Sequence, residues 1–239
     1  MTKILVWDIP ARLFHFAFAA SLSAAIGIGF LVDDDEPLFQ LHMIFGIVAG
    51  FLLLIRVVMG VFGSRYSRFS SFPVHPREIV RYMISATISK TKRYAGNNPG
   101  SALAAVIMFL LVPALFISGI GYGGEDLEEL HELFAWTLLV VVVLHLIGLA
   151  WHTIRHRENI SLAMVTGMKE GKAEDAISSS HAVWGVVIGI LAGTWIAALF
   201  AAHNARTATV KVPGTDVTLR LGENESGKDE RERHHDDDD

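Results

Sequence analysis

The chain has 239 residues, 51% hydrophobic and 19% charged, a balance that excludes an ordinary soluble domain and points to an integral membrane protein. It has no cysteine, which excludes disulfides, thiolate-held iron–sulfur clusters, haem attachment through CxxCH and cysteine-type zinc sites. Any metal therefore falls to His, Met or carboxylate, and the formal net charge of −5 gives no reason to expect a nucleic-acid partner.

Taken in order, the apolar runs predict five membrane spans, near residues 13–32, 39–62, 102–122, 130–152 and 181–202. The start, MTKILVWDIPARLFHF, shows no small-residue cleavage site and is read as the approach to a first span rather than a cleaved signal. Trp7 suits the headgroup interface, and Pro10 can open the helix that carries His15. The second span opens with His42, continues with Gly46 and Gly50 at a spacing that admits a close helix or a flat ligand, and ends with Arg56. Between Pro76 and Tyr94 apolar residues alternate with basic ones at helical spacing, predicting an amphipathic helix lying on the membrane surface. The third span carries Pro113 and no histidine. The fourth, Leu130–His152, carries His131, His145 and His152. The fifth has Gly185, Gly189 and Gly193 at four-residue spacing, a packing ridge for a helix of this chain or of a second copy in a homodimer. Beyond Ala205 the chain is polar. Alternation on either side of Pro213-Gly214 predicts a short hairpin, and the last residues have a disordered composition.

Charge sorts between the spans. Segment 63–100 holds seven Lys/Arg against one acid and segment 153–180 holds four Lys/Arg, whereas Asp33–Glu36 and the cluster Glu125, Asp126, Glu128 and Glu129 have no base among them. The excess of positive charge on the inner side then puts the N-terminus in the cytoplasm and, after five crossings, residues 203–239 outside. This division predicts a four-helix membrane domain over 1–175, a fifth transmembrane helix over 176–203 and a polar outer tail over 204–239.

The histidines carry the chemistry. An imidazole in hydrocarbon is costly and faces the bundle with a partner. His131 and His145 are 14 residues apart, nearly four helical turns, so they share a face about 21 Å apart along the axis. One helix thus offers a nitrogen near each side of a core about 30 Å thick. Counting inward from Trp7 and from Trp151 places His15 and His145 at matching depth. His42 and His131 each open a span that starts at the outer surface. Two histidines at one depth on different helices suit a six-coordinate haem b, whose ring supplies four nitrogens while the imidazoles fill both axial positions. Such an iron has no open position and carries electrons. Arg12 and Arg56, near the level of the inner pair, are candidates to hold haem propionates. His152 is a candidate for contact with a propionate or a quinone carbonyl. His75, His156, His181 and His203 are read as solvated or interfacial, and Met164 and Met168 as packing residues.

At these residues the sequence resembles the bacterial cytochrome b561 family, most nearly the b-type cytochrome subunit of nickel–iron hydrogenases. The segments that carry the likeness are WDIPARLFH at 7–15, His42 with RVVMGVFG at 56–63, NPGSALAAV at 98–106, and His131 to His145 followed by RENISLAMVTGMK at 157–169. The resemblance implies an all-α, four-helix transmembrane haem bundle with His15, His42, His131 and His145 as iron ligands and two non-covalent haems b. It implies electron exchange with quinone in a bacterial inner membrane. The partner on the other side is expected to be a periplasmic c-type cytochrome or the subunits of a hydrogenase or other dehydrogenase. Acidic outer loops would steer a basic partner. A His-based proton or metal transporter is the competing class. It should show an internal repeat or acids within its spans, and apart from Glu132 at a helix end the spans have none.

Overall fold

The computed structural model describes residues 2–88, 93–120, 124–156 and 159–222. The acidic tail that follows, with His234 and His235, lies outside these, as do Lys90, Lys92 and Arg157. Strand β1 (Thr2–Leu5) leads into helix α1 (Ile9–Leu31). The Asp8 carboxylate starts that helix by accepting the Ala11 amide at 3.0 Å. After a single turn at Pro37–Phe39 comes α2 (Gln40–Phe62), then α3 (Pro76–Ile88) and α4 (Pro99–Ile120). Proline stands in the first turn of both α3 and α4, where its missing N–H costs nothing. The Asn98 side chain caps α4 by accepting from Ser101 N at 2.8 Å. The remaining elements are α5 (Gly124–His156), α6 (Ile160–Thr166), β2 (Met168–Gly171), α7 (Ala182–Ala201), β3 (His203–Asn204), β4 (Thr209–Lys211) and β5 (Thr218–Arg220).

Among the described residues five helices are long and apolar enough to cross a membrane: Ile9–Leu31, Pro37–Phe62, Pro99–Ile120, Asp126–Arg155 and Ala182–Ala201. The chain is an all-α multi-pass membrane protein with spans where hydropathy puts them. At 33 residues α5 is about 50 Å long, more than a bilayer core needs, so it continues into the interfacial zone.

The chain divides into two compact units. The first comprises Met1–Ala19 and Gly50–Ile190. Within it, α4 and α5 pack along their length, and β1 pairs antiparallel with β2, Thr2 opposite Gly171 and Leu5 opposite Met168. This sheet lies over a cluster of Ile4, Val6, Trp7, Tyr66, Ala163 and Ile177. Trp7, expected at the headgroup interface, packs against the protein itself. It is buried, with its ring edge-on to Tyr66 at 6.5 Å, because the chain folds back from α6 to cover it. Gly167, at φ 78°, makes that return: its carbonyl accepts from Val6 N at 2.9 Å and Trp7 N at 3.1 Å, and a Cβ there would come within 2.8 Å of Trp7 O. The glycine ridge of α7 meets α1 of the same chain, since a Cβ on Gly185 would lie 2.5 Å from Ile9 Cγ2 and one on Gly189 3.7 Å from Leu13 Cδ1.

The second unit comprises Ala20–Ala49 and Leu191–Asp239. The Ser21 hydroxyl donates to Phe45 O at 2.7 Å, an interhelical bond between α1 and α2. The expected hairpin is present, with β4 antiparallel to β5 around Gly214 and β3 added on the far side of β4. His203 Nε2 stands 2.7 Å from Gln40 Oε1.

Candidate functional site

Helix α5 sets the scale, because its histidines face the bundle at two levels. His131 is held by α4. Its Nδ1 lies 3.1 Å from Leu115 O and 3.1 Å from the Ser118 hydroxyl. That hydroxyl donates to Ala114 O at 2.9 Å, so its lone pair faces the imidazole N–H. With Nδ1 protonated and anchored on backbone oxygen, Nε2 is the basic nitrogen, the atom that a metal takes. Gly119 allows the seat, since a Cβ at this position would stand 3.0 Å from His131 Cε1 and 3.2 Å from Nδ1.

In the second unit His42 is seated by the same device. Its Nδ1 is 2.8 Å from Ala25 O, and a Cβ on Gly29 would come within 2.8 Å of that nitrogen. Phe39 stacks on the ring, centroids 5.0 Å apart and planes 19° from parallel. A Cβ on Gly46, one turn along α2, would meet nothing within 4 Å among the described residues. That leaves lateral room of the kind a flat ring system needs.

His15 and His145 lie within Coulombic range of each other. His15 Nδ1 is buried and has no hydrogen-bond partner among the described residues. A buried polar atom left so costs about 1–3 kcal/mol. It is the mark of a group the chain itself does not supply. Arg56 carries a second such mark. Its residue is 7% exposed, its Nη1 has no hydrogen-bond partner among the described residues, and its guanidinium carbon is 4.9, 5.2, 5.6 and 5.9 Å from the ring centroids of Phe69, Phe109, Phe72 and Phe14. Phenylalanine faces attract the cation but accept no N–H bond in the plane of the fork. An anion with oxygen acceptors satisfies what they leave, and a haem propionate has that chemistry. Gly60 makes the cage possible, because the Phe69 ring lies where a Cβ of residue 60 would be, 2.1 Å from Cε2.

Arg12 is engaged elsewhere. Its Nε donates to Met164 O at 3.1 Å and its Nη2 to Val165 O, so it closes the C-terminal turn of α6. His152, two turns beyond His145, is buried on α5. Within the first unit His15 and His145 lie within Coulombic range of each other, Arg56 sits among phenylalanines that include Phe14, the residue before His15, and Arg12 is tied to the cap that covers Trp7. Sequence reasoning passed over Ser118, Gly119, Gly29 and the phenylalanine cage. The one trace in the sequence is the pair Ser118-Gly119 near the end of the third span.

These residues fit haem. Two imidazoles suffice only where a macrocycle supplies the other ligands, and among the described residues no three of His, Asp or Glu gather as a metal cage.

Known proteins agree with this chemistry. The family described as Prokaryotic cytochrome b561 matches residues 6–167. A probable Ni/Fe-hydrogenase B-type cytochrome subunit of Azotobacter chroococcum is 24% identical over 215 residues, covering 70% of this chain and 89% of its own length. Its counterpart in Bradyrhizobium diazoefficiens is 21% identical over 212 residues, covering 70% and 86%, and that of Rhodobacter capsulatus 18% over 217 residues, covering 72% and 83%. No solved structure gives a significant match. With five apolar helices, imidazoles seated for metal, and a family match over two thirds of its length, the chain belongs to the prokaryotic cytochrome b561 family and is a membrane cytochrome b of electron transfer.

Proposed function

We propose that this cytochrome holds two non-covalent haems b, one near each membrane face, and passes electrons between the quinone pool and a redox partner outside the membrane. The inner haem takes His15 and His145. The outer takes His131 and, on the depth match read from sequence, His42. The observation that carries the reading is a pair of buried polar atoms with no hydrogen-bond partner among the described residues, His15 Nδ1 and Arg56 Nη1. One is an imidazole nitrogen without a hydrogen-bond partner, and the other an N–H group of a buried guanidinium without an acceptor, among the described residues. Haem supplies a one-electron iron centre and two carboxylates. The chain's part is then to fix imidazole orientation through Leu115 O, Ser118 and Ala25 O, to balance propionate charge with Arg56, and to exclude water with the cap over Trp7. A quinone headgroup is placed on the inner side, within reach of His152. The N-terminus is assigned to the cytoplasm and the C-terminus to the periplasm of a bacterial inner membrane.

The experiment is a pyridine haemochrome count on purified protein together with its reduction by quinol. Two haems b per chain, both reduced, are expected, and one haem per chain would overturn the pairing. The printed names of the relatives favour a second reading of the partner, in which the chain anchors a hydrogenase. Co-purification of the native protein with a hydrogenase, rather than reaction with a soluble c-type cytochrome, would select it.

A further inference from the structure

Helix α3 is inside out by the standard of a soluble protein. Its Glu78 and Tyr82 side chains turn toward the protein. The Tyr94 hydroxyl donates to Glu78 at 2.9 Å, and the Tyr82 ring lies edge-on to Tyr94 at 5.9 Å. A Cβ on Gly100 would sit 3.3 Å from Tyr82, so the first turn of α4 packs directly on that ring. Burial, then the bond to Glu78, pushes the Tyr94 hydroxyl up to about 12, so it remains a donor at any physiological pH. The apolar side chains turn out: Val80 is 58% exposed, Ile84 56% and Ile88 74%. An exposed stripe of this kind, on a helix whose Glu78 and Tyr82 are turned toward the protein, has hydrocarbon as its solvent. Its height is fixed as well. The Trp151 indole donates to Ala86 O at 2.9 Å, and Arg155 Nη2 reaches Ile88 O at 3.5 Å. The last carbonyls of α3 are thus held at the end of a membrane-crossing helix, at the level where tryptophan marks the interface.

The outward face also carries charge. Arg77 and Arg81 are exposed one turn apart, while the acid of the same helix, Glu78, is turned inward onto Tyr94. They flank a shallow groove of about 690 Å³ that continues along Val80, Ile84 and Ile88. We propose that α3 lies in the plane of the leaflet at the Trp151 end of α5, with Arg77 and Arg81 holding the phosphate of an anionic phospholipid whose acyl chain runs along Val80, Ile84 and Ile88. Two guanidinium forks at i and i+4 match a phosphodiester, and basic segments beside a membrane face draw anionic lipid from it. The proposal is independent of haem.

Because the chain has no cysteine, a spin label on Ile84→Cys in the full-length protein, reconstituted in phosphatidylglycerol-containing vesicles, reports depth directly. Relaxation by oxygen should exceed relaxation by a water-soluble nickel chelate. Dominance of the nickel chelate would place the face in water, and protection from both would place a protein on it; either result overturns the assignment. Native mass spectrometry of the detergent-solubilised protein tests the headgroup. Wild type should retain phosphatidylglycerol over phosphatidylcholine. The Arg77→Gln/Arg81→Gln variant should lose that preference with haem content unchanged, and Arg77→Lys/Arg81→Lys should keep part of it. An unchanged preference in the glutamine variant, or displacement of the lipid by millimolar inorganic phosphate, would remove the site.

Discussion

The two ends of α5 treat their histidines differently. At the His131 end the neighbouring helix supplies everything the ring needs: a carbonyl at Leu115, a hydroxyl at Ser118 and, through Gly119, the space. At the His145 end the surroundings are left incomplete, with no hydrogen-bond partner for the Nδ1 of His15 among the described residues, and Arg56 of the same unit likewise has an unbonded Nη1. One end is preorganised by backbone, and the other is finished by what binds there. A ligand set with its acceptor already in place has little ordering left to do on binding. A set with orphaned polar groups has an unfavourable apo state that binding relieves.

The largest expected contrast comes from removing the rings. His145→Ala should abolish the inner haem and His131→Ala the outer, each leaving the other at least partly bound. Haemochrome content and the split b-type absorbance band check this, and loss of both haems in either variant would merge two sites into one. Arg56 comes next. A charge-assisted hydrogen bond is worth about 1.5–3 kcal/mol, so Arg56→Leu should weaken retention of the inner haem about 10- to 100-fold, read by haem transfer to apomyoglobin. The same change removes a buried guanidinium with an unbonded N–H, so the apoprotein should melt no lower than wild type even as the inner haem is lost. Equal retention in Arg56→Leu would take the propionate away from Arg56.

Sequence periodicity made the spans, α3 and the β4–β5 hairpin legible, because length, apolar faces and the Pro-Gly turn are side-chain signals. The β1–β2 sheet was not. TKIL and MKEG are four residues each, too short to show a periodic signal, and their pairing depends on contact across most of the chain. Trp7 reads locally as an interfacial residue because the residues that bury it, Tyr66 and Ile177, are remote. The contacts of Arg12 were not legible because the acceptors it uses, Met164 O and Val165 O, are backbone. The histidine seats share this cause. Leu115 O and Ala25 O have no sequence signature, so the ligand candidates could be named while the groups that orient them could not.

The glycine seat gives a third, smaller effect. Gly119→Ala sets a methyl 3.0 Å from His131 Cε1, so ring or helix must shift, at about 1–3 kcal/mol for an overpacked site. The outer haem should persist with a broadened band and lowered occupancy. Gly148 on α5 is the comparison, because a Cβ there meets nothing within 4 Å among the described residues and Gly148→Ala should leave both haems as they are. Equal spectra for the two variants would mean that the His131 ring has room to spare.

The finest effect is expected at Ser118. Its hydroxyl is committed as a donor to Ala114 O and shares with Leu115 O the N–H of His131. An acceptor on Nδ1–H gives the imidazole more anionic character, which favours the ferric iron bound at the other nitrogen. Ser118→Ala removes one of two acceptors and keeps the other, so the ring stays seated and the ligand stays bound. The outer haem should therefore shift to a higher midpoint potential at full occupancy, while the inner haem does not move. Ser118→Thr keeps the oxygen and should restore the wild-type value. A purely structural role would lower haem content or disturb both haems together. A redox titration in which the two potentials are resolved separates these outcomes, and an outer potential unchanged in Ser118→Ala would leave Leu115 O as the sole group that sets the basicity of His131.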